Sequence, residues 1–219
     1  MDGQLRDKVA SGVAWSMAEK VGTMLLQLAV SLTILRLLNP AIMGGIAIPT
    51  AFLAVAIVIA DSGFSQALIR KGTPTADDYK SVFAFNVGVA LVLYGVLVAL
   101  AGSIARFYDM PEITRIAPVF FLQLPLSAAC AIQNTIFVRT FRFALLSKVT
   151  FASWFIAGMV AIGLALAGFG IWCIVVQRVL QASVRALLLW WLSDWRPCGK
   201  CSRRPLREMA PYSFSLLAT

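Results

Sequence analysis

The chain has 219 residues, of which 60% are hydrophobic and only 13% are charged, and its net charge is +9. Soluble domains are about 45–50% apolar and about 25% charged, so this composition excludes an ordinary soluble domain and indicates a membrane protein with several spans. The basic excess does not indicate a nucleic-acid partner, because cytoplasmic loops of membrane proteins carry such an excess.

Six apolar stretches are each long enough to cross a hydrocarbon core about 30 Å thick. The segment MDGQLRDKVASG before the first stretch lacks the features of a signal peptide, so the first stretch is expected to remain in the mature protein. In the fourth stretch, Pro118 and Pro125 are expected to bend the helix. The predicted spans are 13–38, 42–60, 82–104, 113–138, 145–167 and 171–192. The predicted fold is therefore an all-α integral membrane bundle of six transmembrane helices.

The loops predict the orientation of this bundle. Thirteen of the 19 Lys and Arg residues lie on the side that carries both termini, and three lie in the loops of the other side. Basic loops stay in the cytoplasm, so both termini are predicted to be cytoplasmic. The sixth span is followed by the basic loop 196–210, and 211–219 is predicted to begin a truncated seventh span.

Polar residues inside the spans predict a hydrated cavity. In the sixth span, Arg178, Gln181 and Arg185 follow an i, i+3, i+7 spacing and fall within about 60° of one another on a helix. A cation in hydrocarbon is costly, so Arg178 is predicted to line a polar cavity. For Arg185 the alternative is that it extends its guanidinium to the cytoplasmic surface.

Two other spans carry similar stripes. The first span places Lys20 and Gln27 on one face, although Lys20 could instead lie at the lipid headgroups. The fourth span places Gln123 and Asn134 on one face, and we add these four residues to the cavity candidates. The fifth span differs, because its small residues are predicted to form a helix-packing face. These small residues are Ala157, Gly158, Ala161 and Ala165.

Catalytic chemistry is poorly supported. The chain has no histidine, which removes the commonest general base and the usual zinc sites. The pair Asp77 and Asp78 is interpreted as a solvated cytoplasmic turn. The CGKC motif at 198–201 lacks a second Cys or His pair, so it predicts no metal or redox site and should be dispensable. We therefore predict no catalytic residue, no metal, no cofactor and no enzyme activity, and the inward cations favour a substrate with an anionic group such as phosphate.

The ordered segments SGVAWSMAEKVGTMLLQLAVSLTILRLLNP, DSGFSQALIRK, IARFYDMPEI, VRTFRFALLSK and GFGIWCIVVQRVLQASVRALLLWWLSDWRP carry a family resemblance. They resemble the polysaccharide-transport branch of the multidrug/oligosaccharidyl-lipid/polysaccharide exporter superfamily, the O-antigen and exopolysaccharide flippases close to the colanic-acid exporter type. The resemblance implies a bacterial inner-membrane flippase that moves undecaprenyl-pyrophosphate-linked oligosaccharide to the periplasmic side by alternating access. It also implies two helical bundles around a central cavity, of which this chain supplies the N-terminal one.

The expected partners are membrane lipid, a lipid-linked anionic oligosaccharide and other polysaccharide-assembly membrane proteins. Three other readings compete with the flippase. A cation-coupled multidrug exporter of the same superfamily would need buried carboxylates, of which the spans offer only Glu19, with Asp61 at the end of a span. A membrane-embedded glycosyl- or acyltransferase would need an acid/base constellation, which the lack of histidine disfavours. The third is a non-transporting membrane scaffold.

Overall fold

The computed structural model describes residues 2–37, 40–61, 64–70, 74–140, 142–193 and 195–196, with side chains in the first helix described from Lys20 onward. Its helices are α1 (Asp2–Leu37), α2 (Pro40–Asp61), α3 (Phe64–Arg70), α4 (Ala76–Phe107), α5 (Glu112–Phe120), α6 (Gln123–Arg139), α7 (Phe143–Leu166) and α8 (Trp172–Leu192). Within the described residues six helical stretches are long and apolar enough to cross a membrane, with α5 and α6 forming one of them. The predicted six-span all-α fold is confirmed. The CGKC motif, the rest of the basic loop and the predicted seventh span lie outside the described residues.

The start of α4 corrects one sequence interpretation. Thr75 caps the helix, since its hydroxyl accepts a hydrogen bond from the backbone N–H of Asp78, and the Asp78 carboxylate accepts one from the Thr75 N–H at 2.8 Å. This reciprocal arrangement is a capping box, which satisfies two donors of the first helical turn. The prediction of a solvated turn is wrong for Asp78, which is buried, whereas Asp77 is exposed.

The fourth span is broken at the boundary between α5 and α6. Leu122 N–H donates to Val119 instead of to Pro118, so the Pro118 carbonyl is released, and it accepts a hydrogen bond from the Tyr94 hydroxyl at 3.1 Å. Pro125 has no N–H to donate, and its place in the first turn of α6 is compatible with that loss. The prolines therefore interrupt the span, and a neighbouring helix satisfies a carbonyl that the break releases.

A tight turn connects α7 to α8. Gly168 has φ +80°, its N–H donates to Ala165, and the N–H of Phe169 donates to Leu164. This is a Schellman motif, in which the residue after the helix adopts the left-handed conformation that glycine accepts without steric cost. The short turn holds the two helices as an antiparallel pair.

The small-residue face of α7 packs against α1. Ala157 and Ala161 are fully buried, and the nearest side chain to Gly158 belongs to Val30 on α1. Small side chains let two helix backbones approach closely, which is how transmembrane helices gain contact without a hydrophobic driving force. The predicted packing role of the fifth span is confirmed.

The remaining helices pack around α6. This helix contacts α2, α3, α4, α7 and α8. The Arg139 guanidinium at its end donates to the carbonyls of Leu68 and Ile69, at 2.6 and 3.1 Å, and so holds the short helix α3 against the bundle. The contacts of α6 place polar residues from five helices around one internal space.

Candidate substrate cavity

A cavity of about 230 Å³ lies between α2, α3, α4, α6 and α8. It is closest to the ends of α2 and α8 and to the first half of α4, which form the predicted cytoplasmic end of the bundle. Apolar groups such as Ile57 and Leu124 line part of its wall. Its polar lining consists of Asp61, Ser65, Asn86, Ser127, Asn134, Gln181 and Arg185.

Three polar residues of the cavity lining are connected by hydrogen bonds. The Ser65 hydroxyl donates to Asp61 Oδ1 at 2.7 Å, and Asn86 Nδ2 donates to the Ser65 oxygen at 3.4 Å. Asn86 is 1% exposed, and its Oδ1 has no hydrogen-bond partner. A buried acceptor without a hydrogen bond costs folding free energy, so the Asn86 oxygen is destabilising unless a donor reaches it.

The cavity lining also carries a cation. Arg185 Nη2 donates to Asn134 Oδ1 at 3.3 Å, but the buried Arg185 Nε has no hydrogen-bond partner. Asp61 lines the same cavity, yet no ion pair joins its carboxylate to Arg185 in the described part of the protein. The cavity therefore contains two opposite charges that are not paired with each other.

The structure brings together three of the predicted cavity residues. Asn134 on α6 and Gln181 on α8 line the cavity together with Arg185, whose guanidinium donates to Asn134. The sequence left open that Arg185 extends to the cytoplasmic surface. In the structure its side chain instead contacts Asn134 on α6.

The other candidates lie elsewhere. Lys20 is exposed on α1, and Gln27 is half-buried on the same helix. Gln123 donates from Nε2 to the Phe120 carbonyl at 2.7 Å, at the break between α5 and α6. None of these three residues lines the cavity described above.

Arg178 lies outside the cavity, on the surface of the bundle. Its guanidinium carbon is 5.6 Å from the centre of the Trp154 ring on α7, which is a cation–π distance. The side chain is exposed although it lies near the middle of α8. In this bundle the arginine has an aromatic neighbour but no countercharge among the described residues.

Three cavity residues were not anticipated from the sequence. Asn86 is an isolated amide within the apolar stretch 82–104, and this isolation was an available signal. Asp61 and Ser65 follow the predicted second span, 42–60, and their i, i+4 spacing gave no evidence of an inward direction. The cavity becomes visible only when α2, α3 and α4 are assembled.

Aromatic packing closes the bundle near the cavity. Phe83 on α4 lies 5.9 Å from Trp190 and 5.7 Å from Trp195, between ring centres. Gln133 is completely buried, and in the amide orientation that satisfies both of its ends, its oxygen accepts from Trp190 Nε1 at 3.3 Å. These contacts fix the C-terminal end of α8 against α4 and α6, and so they position Arg185. Within the described residues no group of three or more His, Cys, Asp or Glu residues could hold a metal ion.

Comparison with known proteins gives one family match. The family described as "Polysaccharide biosynthesis protein" matches residues 33–219. The succinoglycan biosynthesis transport protein ExoT of Rhizobium meliloti (strain 1021) is 26% identical over 211 residues, which cover 96% of this chain and 43% of that protein. An uncharacterized membrane protein in the cps region of Klebsiella pneumoniae is 21% identical over 218 residues, which cover 97% and 44%. The chain thus spans less than half the length of these curated relatives, and no solved structure matches it.

Proposed function

Because the chain belongs to the polysaccharide biosynthesis protein family and is a multi-pass membrane protein, we propose that it is one bundle of a flippase for lipid-linked oligosaccharide. The substrate is an undecaprenyl-pyrophosphate-linked sugar, which moves from the cytoplasmic to the periplasmic side of the bacterial inner membrane. The transport name of one relative supports export over synthesis. The protein is not an enzyme in this proposal.

The exposed Arg178 is the observation that carries the proposal. An arginine near the centre of a bilayer costs about 2.5–3.5 kcal/mol on insertion scales, so this surface of α8 must face protein or water instead of lipid. The curated relatives have more than twice the length of this chain, which provides for a second bundle. We therefore place Arg178 at a hydrated central cavity between the two bundles.

The charge of Arg178 then attracts the pyrophosphate of the substrate. The pyrophosphate of the substrate must cross a hydrocarbon core about 30 Å thick while its lipid tail stays in the bilayer. A guanidinium presents donors in a fork that matches phosphate oxygens, and its charge lowers the barrier for an anion at that depth. Trp154 holds the guanidinium in place without neutralising it.

Replacement of Arg178 tests the proposal in cells that export polymer through the complete protein. A charge-assisted contact contributes about 1.5–3 kcal/mol. Arg178→Ala should therefore reduce export by at least about tenfold, since about 1.4 kcal/mol corresponds to a factor of ten in rate. Arg178→Lys should retain part of the activity, because the charge remains while the fork is lost. The matched control Arg106→Ala removes an exposed arginine near the end of α4 and should leave export unchanged.

Thiol labelling tests the hydration of the same surface. Arg178→Cys should react with a membrane-impermeant maleimide, because the proposed cavity is open to water. Leu187→Cys is the control, because Leu187 is exposed on the opposite face of α8, nine residues and about 180° away, and should face lipid. Normal export by Arg178→Ala, or no labelling of Arg178→Cys, would contradict the proposal.

A further inference from the structure

Two opposite charges line the same open cavity without touching each other. Asp61, at the end of α2, and Arg185, on α8, are the only charged residues of the cavity lining in the part of the chain that the structure describes. No ion pair joins them among those residues, so the guanidinium nitrogens and the carboxylate oxygens are more than 4.0 Å apart. An ion pair between them therefore requires a movement within the bundle.

Each charge is held by a neutral side chain. The Asp61 carboxylate accepts a hydrogen bond from the Ser65 hydroxyl at 2.7 Å, and Arg185 donates to the Asn134 amide oxygen at 3.3 Å. The two charged groups make no other hydrogen bond with the described residues. A guanidinium–carboxylate contact is stronger than either of these bonds, because both partners are charged and the contact can be bidentate. Both charges therefore remain available to each other.

Neither charge lies at an end of the bundle, although Asp61 is the last residue of α2. Arg185 is seven residues, or about 10.5 Å, before the end of α8. Ser65, which holds Asp61, accepts a hydrogen bond from Asn86, ten residues or about 15 Å after the start of α4. A charge at such a depth is tolerated where it meets water or an opposite charge. The open cavity admits water to both charges, whereas a closed cavity would leave each of them in need of a partner.

We infer that Asp61 and Arg185 form an ion pair that closes this cavity in a second conformation of the bundle. α2 and α8 both pack against α6, so the cavity closes when these two helices approach each other along α6. The ion pair replaces the water that leaves, and it makes the closed state accessible to a bundle that carries two charges inside it. The use of this closure in transport rests on the proposed function, but the pairing itself does not.

A cysteine in the cavity lining can report whether the cavity is open. Ala131 on α6 is half-buried and lines the cavity, whereas Arg106 is exposed outside it. Ala131→Cys is introduced into the complete protein, whose native cysteines are replaced by Ser, and the protein is placed in nanodiscs. Mass spectrometry then follows the modification of this thiol by methyl methanethiosulfonate. Arg106→Cys, in the same background, is the control thiol and should react equally in every variant.

Neutralising either charge should hold the cavity open. Asp61→Asn keeps an oxygen for the Ser65 hydroxyl, and Arg185→Gln keeps an amide donor, but neither variant can form the ion pair. Each should speed the modification of Ala131→Cys at least about fivefold, the low end of ordinary coupling between two sites. The double variant should be no faster than the single ones, because both remove the same interaction. Lys148→Gln, which removes an exposed cation outside the cavity, should change nothing.

Exchanging the two charges gives the sharpest test. Asp61→Arg alone and Arg185→Asp alone place like charges in the cavity, so each should leave it open. The two substitutions together restore an opposite pair and should return the modification of Ala131→Cys to the slow rate of the protein with its native charges. If the exchanged protein stays as reactive as the single variants, or if all variants react equally, the inference is wrong.

Distances between spin labels provide a second measurement that needs no reactive thiol in the cavity. Val58→Cys on α2 and Leu187→Cys on α8 are exposed sites outside the cavity. Labels at these sites should show two distances in the protein with both native charges, and only the longer one in Asp61→Asn. One unchanged distance in both proteins would overturn the inference. Neither assay uses a substrate or Arg178, so failure of this closure and failure of the proposed function are distinguishable.

Discussion

Val30 on α1 lies so close to Gly158 on α7 that a Cβ atom on the glycine would be 2.8 Å from Val30 Cγ2. Real Cβ atoms do not approach a neighbour that closely, so the contact requires glycine. Val30 is itself 5% exposed and has few rotamers as a β-branched residue, which leaves it little freedom to move away. The contact sets the distance between α1 and α7.

We predict that Gly158→Ala destabilises the protein by about 1–3 kcal/mol, the range for an inserted methyl group in a packed core. Gly163→Ala is the control, because a Cβ at Gly163, on the same helix, meets nothing within 4 Å. Adding Val30→Ala to Gly158→Ala should recover part of the loss by vacating the clashing volume. Thermal unfolding in nanodiscs measures all three variants. Equal midpoints for the two glycine variants would refute the close contact.

We predict that the Tyr94 hydroxyl stabilises the broken fourth span. Tyr94→Phe removes the donor to the Pro118 carbonyl and should cost about 0.5–1.5 kcal/mol. Hydrogen exchange at the break between α5 and α6 should increase, since the released carbonyl loses its partner. Tyr108→Phe, at an exposed tyrosine just after α4, should change neither quantity. If the two variants behave alike, the hydrogen bond has no structural role.

Reporter fusions check the predicted orientation. A fusion after Phe143 should report the cytoplasm, and fusions after Asp109 and Gly168 should report the periplasm, because the loops that contain Asp109 and Gly168 carry few basic residues. Alkaline phosphatase and a fluorescent protein, fused at each site in turn, give opposite signals on the two sides. An inverted pattern at two of the three sites would overturn the orientation and would place the cavity at the periplasmic end.

Helical periodicity predicted the direction of polar side chains better than it predicted their neighbours. Arg178 and Arg185 point to nearly the same side of α8, as their spacing requires, but they are separated by about 10.5 Å along the axis. At the level of Arg178 the neighbour is Trp154 on α7, and at the level of Arg185 it is Asn134 on α6. One stripe in the sequence therefore becomes two environments in the structure.

The hydrogen-bonded residues of the cavity lining could not be derived from local patterns. Asp61, Ser65 and Asn86 come from three helices, and their meeting depends on how α3 turns back towards the bundle. Gln123 was predicted to line the cavity, but its side chain donates to a carbonyl at the break between α5 and α6. The prolines predicted a bend in this span, but they did not predict the residue at which it occurs. By contrast, the six spans and the small-residue face followed directly from hydropathy and residue size.

The pairing of α1 with α7 has a consequence for biogenesis. α1 packs chiefly against α7, whose first residue emerges from the ribosome 106 residues after the end of α1. At about 5–20 residues per second, the ribosome needs roughly 5–20 s for that interval. During this time α1 waits in the membrane with the Thr23 and Val30 face uncovered, while α2 to α6 are being inserted. The packing of α1 against α7 is therefore a late step in assembly, because α7, which carries Gly158, is synthesised long after α1.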